Sequence, residues 1–403
     1  MRLAVLLAVL LALPGCLMTR YLAQAGAGQL ELLAKARPIE DVVNDPNTPL
    51  RTAMLLAEIP AIKQYGRSYG LKIKRNYNSY SSLGRPAAVW FVGAADPLAF
   101  KPRKWCFPIV GCFAGLGWFD EDDGVRHKLE LEAMGFDAIV RPASAYSTGG
   151  WFPDPVLSTM LGGGDDAFPE LANVILHESV HATVLVPDQP FFNESLASYV
   201  ADTLTDHWIA DRFGRGSPEE LAWTLGQATG VHRTARLLGA YTELKALYDG
   251  KLPRDQKLAK KNEIIDELVE DLRLRRRPNN ASLTEARVYN GGAAALIDAH
   301  RACGDLRTMI ESAKTLTRTD FSKTLQDDLA PIGTLIGQRC RIRSRSMPER
   351  RGSGSGGLPT GSTMTSYQLD HIPYGARFTA IAAKIDETGR SDLKPIWLDL
   401  ELR

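Results

Sequence analysis

Histidine is scarce in this chain, at 7 in 403 residues, so any regular spacing among the histidines carries weight. Neither sign of charge dominates: 48 Lys+Arg face 47 Asp+Glu. That balance excludes a whole-molecule field that would draw nucleic acid or acidic substrates. No long internal repeat is visible. The apolar run Leu3 to Leu13 is too short to cross a membrane as a stable helix. What remains is ordinary globular material. A hydrophobic content of 44% over 403 residues permits a full core and two lobes.

The N-terminus reads as an export signal. Met1-Arg2 is a short basic start, and Leu13-Pro14-Gly15-Cys16 follows the apolar run and resembles a bacterial lipobox. Residues 1–16 are thus expected to be a lipoprotein signal peptide, with Cys16 as the lipidated first residue of the mature chain. A plain secretory signal is the competing reading. Leu17 rather than Asp after Cys16 favours the periplasmic face of the outer membrane if the host is Gram-negative. Four cysteines then remain, Cys106, Cys112, Cys303 and Cys340. In an exported protein an even number suggests two disulfides, with Cys106–Cys112 and Cys303–Cys340 the natural pairs and the other pairings still open.

The informative feature is His177-Glu178-Ser179-Val180-His181. Residues four apart share a helix face, so both imidazoles can grip one Zn²⁺ with Glu178 beside it. Leu171 to Val186 is apolar on nearly every side, the pattern of a buried helix that Pro187 stops. Such a helix does not carry two His and a Glu without partners. A catalytic zinc needs a third protein ligand. Glu194, an acidic residue within the apolar stretch Phe191 to Val200, is the natural choice. A plainer reading has Asn193 as a helix cap and Glu194 merely complementing the dipole.

Asn193-Glu194-x-x-Ala197 resembles the second motif of the gluzincin metallopeptidases. Several further segments resemble one family, the bacterial zinc aminopeptidases that are often lipoproteins. They are Tyr21 to Ala25 with Gly28-Gln29-Leu30, Trp105 to Cys112, Ala145 to Pro155, and Tyr289-Asn290. The resemblance runs from about residue 16 to about 340. It departs at Ala114 to Phe119, which lacks an expected Arg and Tyr, and at Gly291-Gly292, where the family has Asn. The resemblance implies a peptide substrate and a membrane link through the lipid anchor, with no nucleic-acid partner.

In that chemistry Zn²⁺ lowers the pKa of water. Glu178 takes the proton as general base and returns it to the leaving amine as general acid. The oxyanion needs a donor, for which Tyr289 is preferred over Tyr146, Tyr241 and His232. Zinc-bound histidines want an acceptor on the other ring nitrogen, for which Ser198 and Asp202 are the candidates one and two turns after Glu194. A strand edge beside the metal would pair with the substrate backbone, and Ser147, Thr148, Gly149 and Gly150 are expected there. Asp154 is the candidate carboxylate for a substrate amine. An envelope endopeptidase, or a catalytically silent zinc-stabilised binding protein, would use the same residues.

The expected fold is α+β. A mixed lobe covers residues 17–161, with helices at Tyr21–Ala36, Thr52–Tyr69 and His127–Met134. Its strands are placed at Ala88–Val92, Phe107–Phe113 and Phe136–Pro142, with a turn at Gly117–Asp123. A hinge-like loop follows at Gly162–Asp166. A mainly helical, gluzincin-like zinc lobe covers 162–340 and includes a highly charged helix over Arg254–Arg277. Residues 341–366 read as a Gly/Ser/Arg-rich linker, and 367–403 as a small β-rich tail.

Overall fold

The computed structural model describes residues 17–73, 75–107, 111–146 and 152–346. Cys16, Ser147 to Gly150 and the tail from 347 onward lie outside the described residues. The chain is α+β and mainly helical, with small sheets.

It opens with α1 (Leu17–Ala34), β1 (Ala36–Pro38), α2 (Ile39–Val43), α3 (Leu50–Ala57) and α4 (Ile59–Ser68). The single helix expected over Thr52–Tyr69 is therefore two. Pro60 has no N–H to continue the first, but is welcome at the start of the second. The short β2 (Ser79–Ser81) pairs antiparallel with β1 and parallel with β8 (Val156–Leu157).

A second sheet has β3 (Val89–Ala95) at its centre, antiparallel to both β6 (Gly115–Trp118) and β7 (Asp137–Ala143). The glycines of β6 suggest a turn in the sequence, yet they pair in register, Phe91 opposite Gly117 and Gly93 opposite Gly115. The reason is steric. The Phe91 ring lies over Gly115, where a Cβ would come within 2.1 Å of it. Helix α5 (Glu121–Ala133) packs on this sheet. It begins six residues before the expected His127, because Asp120 caps it by accepting from the Asp123 N–H at 3.0 Å.

Phe107–Phe113 is a hairpin rather than one strand: β4 (Trp105–Phe107) runs antiparallel to β5 (Gly111–Phe113), with Cys106 opposite Cys112. Pro108, which cannot donate to a ladder, falls between the two strands. Cys106 is disulfide-bonded.

The helical part comprises α6 (Ala167–His181), α7 (Pro190–Phe213), α8 (Pro218–Asp249), α9 (Arg254–Asp271), α10 (Asn280–Asn290), α11 (Ala293–Cys303), α12 (Leu306–Ala313) and α13 (Ala330–Ser346). Helix α13 runs past Arg341, where the linker was expected to start. The Cys303–Cys340 disulfide ties α11 to α13. The largest core joins α6 and α7, through fully buried Leu171, Ile175, Leu176, Phe192 and Val200, to residues before Gly162 such as Leu56, Ile62 and Leu157. Residues on both sides of the 162–166 loop thus share one hydrophobic interior, which holds α6 and α7 rigidly against each other.

Candidate metal centre

Helix α6 ends on the second histidine of the pair, five residues before the expected Val186. Local hydrogen bonding stops it there. The Thr183 hydroxyl donates to the Ser179 carbonyl at 2.6 Å, and the Thr183 and Val184 N–H groups both turn back to the Val180 carbonyl. The chain then runs to α7, which starts with Pro190 in its first turn. Asn193 locks this return. Its Oδ1 accepts from the Val186 N–H and its Nδ2 donates to the Val186 carbonyl, each at 2.9 Å. The residue after this clamp is Glu194, which is thereby turned toward α6.

Three ligand atoms converge as a result. His177 Nε2 and His181 Nε2 are 3.2 Å apart, and Glu194 Oε2 is 3.3 Å from each. All three side chains are partly buried, and they form a group of metal-ligating atoms. A tetrahedral cation with ligand bonds of about 2.0–2.1 Å sets its ligand atoms roughly 3.3 Å apart. The three observed separations match the edges of one such tetrahedral face. A central cation would satisfy all three atoms together. The donor set therefore fits a divalent metal.

The electrostatics agree. Burial disfavours the cationic form of His181, but the hydrogen bond and charge of Glu194, helped by Glu178, outweigh it and lift the imidazole to about 9. Burial pushes Glu194 up in turn, and the two imidazoles overwhelm it and hold the carboxyl far below the usual range. The site demands net positive charge at its centre.

Glu178 lies between the two histidines in the sequence of α6 and takes no hydrogen bond or ion pair among the described residues. Its neighbour Tyr77 is buried and has φ +60°, an uncommon backbone for a residue with a side chain. Burial first, then the charges of Glu178 and Asp154, raise the Tyr77 hydroxyl well above its ordinary value. No pattern in the sequence marks Tyr77, since the φ follows from tertiary packing.

Tyr289 sits on α10 with its ring stacked on His177, centroids 6.2 Å apart and planes at 26°. Burial, then the negative charge of Glu194, push its hydroxyl far up, so it stays a proton donor at neutral pH. Arg141 of β7 couples electrostatically to Tyr289 and pairs with Glu285 one turn before it on α10. Arg141 and Glu285 were not legible in the sequence, where they are two isolated charges 144 positions apart. The competing donors stand elsewhere: Tyr241 stacks on Phe100, Tyr146 packs against Phe119, and His232 is exposed on α8.

The two candidates for the outer histidine nitrogens are placed differently from expectation. Asp202 accepts from Asn173 Nδ2 at 2.8 Å. His181 Nδ1 is buried and has no hydrogen-bond partner among the described residues, so neither Ser198 nor Asp202 serves it. Asp154 is buried behind Tyr77, whose N–H donates to its carbonyl at 2.8 Å, while Asn76 Nδ2 lies at 3.5 Å from its carboxylate.

Gly292, where the resemblance expects Asn, has a local explanation. A Cβ there would stand 2.8 Å from the Ser195 Cβ and 2.5 Å from Leu329 Cδ1. Its N–H donates to the Ser195 hydroxyl, which itself donates to the Val288 carbonyl. This close approach binds the start of α11 to the turn of α7 that carries Glu194.

The family model described as "Putative aminopeptidase" matches residues 20–326. No curated protein and no solved structure matches the chain. The family match spans well over half of the 403 residues, and it falls on the segments that build the His177–His181–Glu194 group; the chain belongs to this aminopeptidase family.

Proposed function

We propose that the protein is a zinc-dependent metallopeptidase of the gluzincin type that removes residues from peptide N-termini. The observation that carries this reading is the near-equilateral triangle of His177, His181 and Glu194 ligand atoms, with separations of 3.2, 3.3 and 3.3 Å, next to the unengaged Glu178. A His, His, Glu set suits Zn²⁺. Zn²⁺ in such a site supplies Lewis acidity and acidifies water.

The chain's own residues do the rest. Glu178 takes a proton from water and passes it to the amine that leaves. Tyr289, kept protonated, donates a hydrogen bond to the oxygen on which charge develops. Arg141 orients the Tyr289 hydroxyl and Glu285 orients Arg141. The Asn193 clamp keeps Glu194 in line. Attachment to the envelope through a lipid on Cys16 belongs to the same proposal, and loss of membrane association in Cys16→Ala tests it.

The decisive experiment is metal content measured on the wild type and on Glu194→Ala, coupled to cleavage of short peptides. One zinc per chain and hydrolysis in the wild type, with both lost in the variant, is the expected result. Full metal occupancy in Glu194→Ala overturns the ligand assignment. Equal cleavage of free and N-acetylated peptides overturns the aminopeptidase reading in favour of an endopeptidase.

A further inference from the structure

The face of α6 that carries His177 does not end at the metal group. One to two turns earlier, on the same side, it carries Val174, Asn173 and Glu170, and these line a cavity of about 480 Å³. Asp202 of α7, Trp223 and Gln227 of α8, and Ser144, Thr159, Met160 and Gly162 complete the wall. Asn173 is four residues before His177, so the cavity lies roughly one helical turn, about 5.4 Å along the axis, from the first ligand. That is the distance of a side chain flanking a bond held at the metal.

The lining has a definite chemistry. Among the described residues it holds two carboxylates, Glu170 and Asp202, and no Lys, Arg or His. Asp202 is held in place by Asn173 Nδ2 at 2.8 Å. Met160, Val174 and Trp223 supply apolar surface, and the Trp223 N–H donates to Asp206 at 2.7 Å. An aliphatic stem against apolar wall with a cationic head at carboxylates is the environment that Lys and Arg side chains seek, and an indole face adds attraction for the cation. Burial and the nearby Asp166 raise the Glu170 carboxyl, which is the response of an acid in a negative, partly desolvated surrounding.

We infer that this cavity is a specificity pocket for a basic side chain, Lys or Arg, adjoining the bond that is cut. The inference rests on the peptidase reading above and narrows its substrate class.

Binding is measured on Glu178→Gln, which does not turn substrate over, with peptides carrying Lys or the uncharged norleucine at the first or second position, each free and N-acetylated. Hydrolysis of the same peptides by the wild type is followed in parallel. The Lys peptide is expected to bind roughly tenfold tighter than its norleucine twin at one of the two positions. Glu170→Gln and Asp202→Asn, each added singly, should shrink that ratio, while Glu170→Lys should reverse it. Equal affinities for Lys and norleucine at both positions, with hydrolysis intact, overturn the pocket assignment and leave the peptidase reading standing. Affinity lost on acetylation but indifferent to Lys makes the cavity an amine site and overturns the side-chain assignment. Absence of hydrolysis of every peptide by the zinc-loaded wild type removes both readings together.

Discussion

Asn193 grips Val186 by both of its backbone polar groups, accepting from the N–H and donating to the carbonyl at 2.9 Å each. The loop between the two helices of the metal group is thereby closed by a side chain immediately before the third ligand. Asn193→Ala leaves two backbone groups unpaired beside a buried residue, a cost of about 2–4 kcal/mol. Misalignment of Glu194 should weaken zinc binding roughly ten- to a hundredfold, the usual effect of removing a group that orients a ligand. Urea unfolding of the metal-free protein gives the first quantity and a competition titration with a chelator the second. Unchanged metal affinity in a folded Asn193→Ala would show that the clamp serves stability alone.

Glu178 and Glu194 are separated in role by what surrounds them. Glu194 is claimed by both imidazoles, whereas Glu178 engages no donor among the described residues. Glu178→Gln should therefore retain the metal and lose roughly 10²–10⁴ in kcat. Loss of metal in that variant would instead place Glu178 among the ligands. Removal of zinc by a chelator should abolish activity in the wild type, with restoration on adding zinc back.

Much of this centre was legible in the chain because helical periodicity alone places His177 and His181 on one face. Glu194 was readable because a carboxylate in an apolar stretch needs a partner. The Cys303–Cys340 bond was among the pairings that composition suggested. Other features depend on distant partners and leave no local trace. The clamp by Asn193 reads as a helix cap until Val186 is seen beside it. The turn expected at Gly117–Asp123 overlaps the end of the strand Gly115–Trp118, because nothing local shows Phe91 lying over Gly115 and pairing opposite Gly117. The Arg141–Glu285 pair joins β7 to α10 across 144 positions of sequence. Helix ends failed similarly: α6 stops at His181, five residues short of Val186, where the Thr183 N–H closes a tighter turn onto the Val180 carbonyl.

Tyr289 is stacked on His177 and lies within the electrostatic reach of Arg141. Its hydroxyl, pushed up by burial and by Glu194, does not ionise at working pH. Tyr289→Phe removes the donor and keeps the ring, so metal content should stay whole and KM should change little. The expected loss in kcat is on the order of 10²–10³, as for other single oxyanion donors. Arg141→Lys, which keeps the charge and loses the fork, should give a smaller loss of the same kind. A KM effect without a kcat effect in Tyr289→Phe would move the tyrosine to substrate binding.

Stability in mild acid is governed in part by a residue far from the metal. His127 is fully buried, its Nδ1 accepts from Trp118 Nε1 at 3.0 Å, and its Nε2 has no partner among the described residues. Burial chiefly, opposed by the charge of Glu130 and assisted by those of Arg20 and Arg103, lowers the imidazole from 6.5 to about 4. Between those two values the unfolded chain binds a proton that the folded chain refuses, so stability drops as pH falls through this window and is fully present above it. From pH 6.5 to pH 5 the contribution lost is about 2 kcal/mol. His127→Asn can still accept from Trp118 but cannot titrate. It should be less stable than the wild type at pH 7, through the volume removed, yet lose about 2 kcal/mol less on acidification. Urea midpoints at the two pH values measure the difference, and parallel losses in the two proteins would mean that His127 is protonated within the fold.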